Sequence, residues 1–295
     1  MFYATTFPRN RNFLQVSLRC ESVPLCGSAR PVWLTEDAFL YTVSGVSAPK
    51  ASRSSVPAAG LIIERAGDVL SFTLNNPPHG NEVTGPMFDA MLAELRAESK
   101  RPRARALRIR ARGNVFCTGR ERAGRNAAGI RREARRLIEV KRCLRTSPLI
   151  SVAEVQGDAF GFGFGLAIVC DFVLVAQTAC LGFPEMRAGL PPSAIMAYLG
   201  EYTLPRFAFP LVLFGDAITP VHALQIGLIS QVCPADRLAG DADALVERIL
   251  RLDANAVRRC KEFFLAAQQN GFAENCRLAA EVLTRDSLAV LKKAQ

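Results

Sequence analysis

The spacing of apolar and polar residues changes along this chain from strand-like alternation to helical periodicity. Leu61-Ile62-Ile63-Glu64 and Val69-Leu70-Ser71-Phe72-Thr73-Leu74 are short apolar runs joined by Ala66-Gly67-Asp68, and they predict a hairpin. Met87, Met91, Leu92 and Leu95 recur at helical spacing within 84–98. Ala106 to Gly113 alternates apolar residues with arginines and reads as a strand. It leads through Val115-Phe116-Cys117-Thr118-Gly119-Arg120-Glu121 into a turn with a glycine at its tip. A basic helix over 131–145 delivers the chain to two buried strands, Leu149 to Val155 and Asp171 to Ala176. Beyond residue 200, helices are predicted over 204–214, 220–226, 242–252, 255–268 and 273–291. Strands alternating with helices point to an α/β arrangement whose turns converge at one end of the strands.

Between the two buried strands lies the stretch Gly157-Asp158-Ala159-Phe160-Gly161-Phe162-Gly163-Phe164-Gly165, read as a turn running into a short helix over 166–170. Glycines at alternate positions cost backbone entropy and supply no packing, so they mark either unusual dihedrals or a close approach to backbone N–H groups. Such a turn can hold an anion, either a phosphate or an oxyanion formed during reaction. The same glycines lie 20 residues before the acidic Glu185 and so mimic part of a dinucleotide fingerprint. The spacing, however, is GxGxG and not GxGxxG. Asp158 reads as a turn or cap residue.

Composition narrows the classes. The chain has 295 residues, 49% of them hydrophobic, enough for a substantial core, and its longest apolar run is broken by Asp171 and glycines. A soluble globular protein without a membrane segment is expected. Nine scattered cysteines with no CxxC pair fit buried free thiols in a reducing, cytoplasmic setting. Two histidines, His79 and His222, argue against a histidine metal site, and no GxSxG elbow is present. The net charge of +10 is uneven, with 18 Lys or Arg against 4 Asp or Glu between Arg96 and Arg145. That segment suits a polyanion or a phosphorylated small molecule. It lacks aromatic interleaving and any nucleic-acid motif, so no nucleic-acid partner is expected. Residues 1–58 have no sustained period and a Ser/Ala/Pro-rich end, and they read as a poorly ordered extension. If they were a transit segment, the location would be mitochondrial or another organelle.

Three segments and a later one carry a resemblance. Phe116-Cys117-Thr118-Gly119-Arg120-Glu121, then Val155 to Gly163 running to Cys170-Asp171, then Phe183-Pro184-Glu185-Met186-Arg187-Ala188-Gly189-Leu190-Pro191-Pro192 resemble the crotonase, or enoyl-CoA hydratase/isomerase, superfamily. Ala217-Ile218-Thr219 with Ala223 to Val232 resembles its later motif, and the four stand in the family's order over about residues 60–290. The resemblance implies an α/β fold built as a spiral of ββα units over 59–200 with a C-terminal helical, trimerising region over 201–295. It implies a homotrimer or hexamer that acts on acyl-CoA thioesters and needs no cofactor, coenzyme A being part of the substrate.

The resemblance also assigns roles. Backbone N–H groups of Arg120 and Phe162 would form the oxyanion hole, supported by Gly119, Gly161 and Gly163. Glu185 matches the family's second catalytic glutamate, whereas the first falls at Gly165 and is missing. One carboxylate suffices to move a proton between two carbons, so an enoyl-CoA isomerase with Glu185 as proton shuttle is expected first. A one-glutamate hydratase and a non-enzymatic RNA-binding member are the alternatives. Asn81, Arg122 and Arg125 are assigned to coenzyme A. Lys261, Lys292 and Lys293 are further phosphate candidates, and Phe160, Phe162, Met196 and Tyr198 are assigned to the acyl pocket.

Overall fold

The computed structural model describes residues 59–294, so the stretch 1–58 discussed above lies outside the described residues. Leu61–Ala66 (β1) and Val69–Leu74 (β2) form the expected antiparallel hairpin, with Leu61 opposite Leu74 and Ala66 opposite Val69. Gly85–Lys100 (α1) then leads to Ala106–Ala111 (β3) and Val115–Cys117 (β4). Ala127–Arg145 (α2) precedes Ile150–Val155 (β5) and Asp158–Phe160 (β6), after which comes Phe162–Ile168 (α3). Phe172–Ala176 (β7) and Leu181–Gly182 (β8) precede a 3₁₀ turn over Pro184–Ala188 and Ser193–Leu199 (α4).

The remaining elements are Pro205–Phe214 (α5), Pro220–Gln225 (α6), Gln231–Cys233 (β9), Leu238–Leu250 (α7), Ala254–Ala267 (α8) and Phe272–Ala294 (α9). No described helix is long and apolar enough to cross a membrane.

The strands sort into two sheets. One runs β1-β2-β3-β5-β7-β9, parallel from β2 onward, and the other runs β4-β6-β8. From β3 onward, three successive turns of the chain each lay one strand in the large sheet, the next in the small sheet, and then a helix. This repetition is the ββα spiral expected from the sequence. Leu107, Ile109, Ala153, Val155 and Val173 face a core shared with α1, α2 and α3. Ala106, Val152, Leu174 and Ala176 face the opposite way and are covered by Leu238, Ala242, Val246 and Ile249 of α7. Both faces of the central strands are buried, which is why their sequences run apolar without strict alternation.

Several boundaries differ from expectation. α3 begins at Phe162 and not at residue 166, so Gly163 and Gly165 belong to a helix and not to the turn. They sit there because the helix presses on its neighbours: a side chain on Gly163 would meet the backbone of Cys117. α2 starts at Ala127 because the Asn126 side chain accepts from the Gly129 N–H at 2.8 Å. β8 and β9 carry too few residues for a period to show, and the sequence reading missed them. Asp158 accepts from the Cys180 N–H at 2.9 Å, so it ties β6 to the chain just before β8 and does not cap its own turn. Of the described cysteines, Cys117, Cys143, Cys170 and Cys233 are buried thiols, whereas Cys180, Cys260 and Cys276 are exposed.

Much of the arginine-rich segment is tied internally. Arg108 pairs with Glu154 at 2.5 Å and with Asp243, Arg136 with Asp89 at 2.7 Å, and Arg145 with Glu201. Two residues assigned to coenzyme A or its phosphates also prove structural. Asn81 is fully buried; its amide donates to the carbonyls of Arg112 and Val115 at 2.8 and 2.7 Å and accepts from the Asn76 N–H at 2.8 Å. Nothing of it is left for a ligand. Lys261 is buried on α8 and donates to the Leu149 carbonyl at 2.7 Å and to Asp171 at 2.6 Å, stapling that helix to the sheet. The side chains of Lys292 and Lys293 lie outside those described. Asn81→Ala strands two carbonyls and one N–H, and it should cost about 2–4 kcal/mol in urea unfolding. Affinity for coenzyme A in the folded fraction should not change.

Candidate active site

The turn after β4, the turn before α3 and the 3₁₀ turn line one cavity of about 780 Å³. It gathers Gly119, Arg120, Arg122, Gly161, Phe162 and Glu185, six of the residues assigned from the sequence. Gly163 lies outside its lining and acts through packing, and Arg125 is exposed but lies away from it. Phe160 and Met196 do not line it either; its apolar wall is built instead by residues such as Leu137, Leu190 and Ile195.

Arg120 enters a short parallel bridge with Val83. The Val83 N–H donates to the Gly119 carbonyl at 3.2 Å and the Glu121 N–H donates to the Val83 carbonyl at 3.1 Å. The intervening Arg120 N–H has no protein acceptor among the described residues. Its guanidinium turns the other way, to Glu133 at 3.2 Å. Phe162 is the first residue of α3, so its N–H has no partner within the helix. Gly161 just before it has φ +52°, a dihedral that side chains disfavour, and its N–H donates to the Gly182 carbonyl at 2.9 Å, fixing the turn to β8. Two unused N–H donors thus open on the cavity that holds Glu185.

Glu185 is half-buried in the 3₁₀ turn, which ends at Gly189 with φ +70°. Its Oε2 is buried with no hydrogen-bond partner among the described residues. Its Oε1 lies 2.9 Å from where a side chain on Gly161 would begin, so carboxylate and oxyanion turn are in contact. The neighbouring Arg187 pairs with Asp216 at 2.9 Å and leaves Glu185 alone. A buried carboxylate oxygen without a partner is expensive, and it is found where a reacting group needs it.

Lys141 escaped the sequence reading. It sits on the buried face of α2 with Leu137, Val140 and Leu144, and only 4% of it is exposed. A lysine on the apolar stripe of a helix was the available signal. Its Nζ donates to the Tyr198 hydroxyl at 2.5 Å and lies 5.2 Å from the centre of the Phe162 ring. Tyr198 in turn donates to the Gly165 carbonyl at 3.0 Å. Burial pulls the Lys141 pKa down to about 7, with Glu185 acting against that shift, and burial pushes the Tyr198 hydroxyl well up.

The sequence model of the family described as enoyl-CoA hydratase/isomerase matches residues 64–287, and the chain belongs to that family. It is 29% identical over 217 residues to 2,3-dehydroadipyl-CoA hydratase of Escherichia coli, covering 71% of this chain and 83% of that one. It is 26% identical over 245 residues to the mitochondrial enoyl-CoA hydratase domain-containing protein 3 of Rattus norvegicus, covering 81% and 82%. Among solved structures, it superposes with a TM-score of 0.74 on a Thermobifida fusca YX protein assigned as an enoyl-CoA hydratase and crystallised with CoA. That pair is 28% identical and covers 83% of this chain and 99% of that one. The crotonase fold is therefore shared.

Gly161→Ala tests the contact between turn and carboxylate. Its methyl would displace Glu185 and strain the φ +52° turn, so kcat should fall at least about tenfold while the far-UV spectrum is retained.

Proposed function

We propose that this protein is an enoyl-CoA isomerase in which Glu185 moves the proton. The observation that carries the reading is a single unpaired carboxylate oxygen against an oxyanion turn, with glycine at 165 where a hydratase's other glutamate would stand. With a 3-enoyl-CoA bound, the carboxylate takes a proton from C2. The electron pair of that C–H bond passes into the thioester, and the Arg120 and Phe162 N–H groups hold the resulting oxyanion, each donor worth roughly 3–4 kcal/mol. Return of a proton at C4 leaves the 2-enoyl thioester. Arg122, which is exposed, lines the cavity and forms no ion pair among the described residues, is assigned to the phosphates of coenzyme A, with Arg125 further out on the same loop.

The names of the relatives favour hydration as the second reading, and both readings face the same assay. A 3-enoyl-CoA and a 2-enoyl-CoA are incubated separately with the protein and the products are separated chromatographically. The expected outcome is conversion of the first to the 2-enoyl isomer, with Glu185→Gln lowering the rate by about 100-fold or more. Formation of a 3-hydroxyacyl-CoA without a double-bond shift makes the protein a hydratase. Turnover of neither substrate removes both readings.

The assembly proposed is a homotrimer or hexamer in the cytoplasm, with a mitochondrial or other organellar location as the alternative. What supports the assembly is the row of exposed apolar residues on α5 and α6, among them Phe207, Phe209, Phe214 and Val221. Light scattering after size exclusion should give three or six times the 32.1 kDa chain mass, and a monomer would refute the assembly.

A further inference from the structure

One buried titratable group in the cavity is unused by the mechanism above. Lys141 reaches the cavity from α2 and its head group fills the space that a side chain at position 165 would need. A side chain there would begin 2.6 Å from the Lys141 Nζ and 2.8 Å from the Tyr198 hydroxyl. A glutamate at 165 and Lys141 in its present place exclude each other. The chain has thus exchanged a carboxylate on α3 for an amine and a phenol delivered by α2 and α4.

We propose that Lys141 is a second catalytic residue, the acid that returns the proton at the distal carbon while Glu185 serves as the base. The proposal deepens the isomerase reading and rests on it. The step balances as follows. Glu185 removes the C2 proton, and the C–H pair forms the dienolate. The C3–C4 π pair then takes a proton from the Lys141 ammonium at C4, leaving the nitrogen its lone pair, and the oxyanion collapses to the 2-enoyl thioester. Protonated Glu185 then passes its proton to the neutral amine across the emptied cavity, restoring both groups. Neither oxidant nor cofactor enters.

The surroundings suit this task. The α3 side of the Nζ offers only the Phe162 ring and the Gly165 backbone, neither of them charged. From α4 comes Tyr198 alone, and from the 3₁₀ turn Glu185, the one charge that acts on it. Along α2, Leu137 is apolar and Arg145 is held by Glu201. Across the cavity Glu133 is engaged by Arg120 and by the Gly124 N–H, and Glu82 stands on the wall. Lys141 forms no ion pair among the described residues, and its charge is answered by the nearby Glu185 carboxylate, the Tyr198 hydroxyl and the Phe162 and Tyr198 rings. Its pKa of about 7 lets the ammonium give up a proton near neutrality, and Tyr198 fixes its direction.

The test is isomerisation of a 3-enoyl-CoA in D2O by the wild type, Lys141→Met, Lys141→Arg and Tyr198→Phe, with deuterium at C4 read by mass spectrometry. The wild type should place one deuterium at C4, because the ammonium protons exchange with solvent. Its rate should fall as pH rises through about 7, where the ammonium is lost. Lys141→Met should be about 100-fold slower, lose that alkaline limb and keep the substrate's own hydrogen at C4 in its residual product. Lys141→Arg restores the charge but not an acid of suitable strength and should stay slow, which separates proton transfer from mere positioning. Tyr198→Phe, which keeps the ring, should broaden the limb and slow turnover by about tenfold.

A wild type that isomerises but retains protium at C4, or a folded Lys141→Met within about threefold of its rate, overturns the Lys141 assignment alone. A wild type that leaves the 3-enoyl substrate unchanged overturns the isomerase reading and this assignment with it.

Discussion

The structure depends on how closely backbone can approach backbone where the two sheets meet. Between β5 and β6, Gly157 lies against the Asn114 carbonyl, and in α3 Gly163 lies against Cys117. A methyl group at either place would overlap main-chain atoms, which cannot retreat as the tip of a long side chain can. Because α3 can press onto β4, the residue that follows β4 by three positions and the first residue of α3 open on the same space. The proposed pairing of the Arg120 and Phe162 N–H groups around an oxyanion rests on that packing. The side chains at those two positions are free to differ, and one of them spends its charge on Glu133 instead.

The charge of the chain has a similar structural origin. Its most basic segment supplies β3, β4, α2 and the loops between them, and many of its arginines reach carboxylates on other elements. Arg108 spans Glu154 on β5 and Asp243 on α7, and so joins the sheet to the helix that covers it. Exposed pairs such as Arg136–Asp89 contribute little each, whereas the largely buried Arg108–Glu154 pair fixes register between layers and would leave a buried charge if either partner were removed. Arg122, Arg125, Arg131, Arg132 and Arg135 have no such partner among the described residues. They cluster on the loop before α2 and on its first turns, beside the cavity mouth that Arg122 lines.

Within the cavity, one carboxylate and one ammonium face each other without forming an ion pair. Each is taken from water and left incompletely answered, which costs stability that an apolar pair would not cost. Under the proposed assignment the site has a base and an acid of opposite charge, on a wall that also carries Glu82, Glu133, Arg120 and Arg122. A hydratase-like pair of carboxylates would repel each other and share protons. The glycine at 165 leaves room that Lys141 and Tyr198 occupy.

The hairpin, the helix over α1, the basic helix and the central strands were legible in the sequence, because their apolar residues repeat with the period of the element that buries them. The segments that hold Glu185, Arg120 and Phe162 were legible as motifs, since local segments with glycine or proline at fixed positions keep their shape wherever they are placed, and the fold brings the three residues to one cavity. Asn81 was misjudged: an asparagine in a polar loop reads as a ligand contact, and only the fold shows its amide consumed by Arg112 and Val115. The start of α3 was also misplaced, because glycines that allow close packing look like glycines that allow a turn. The sequence by itself determined the order of the longer elements and the motif that holds Glu185, both of which are local. Only the tertiary structure decided that Lys141, 24 positions before Gly165 along the chain, stands in the space that Gly165 leaves. Contacts between α2, α3 and α4 set that meeting, and no period within a single segment records it.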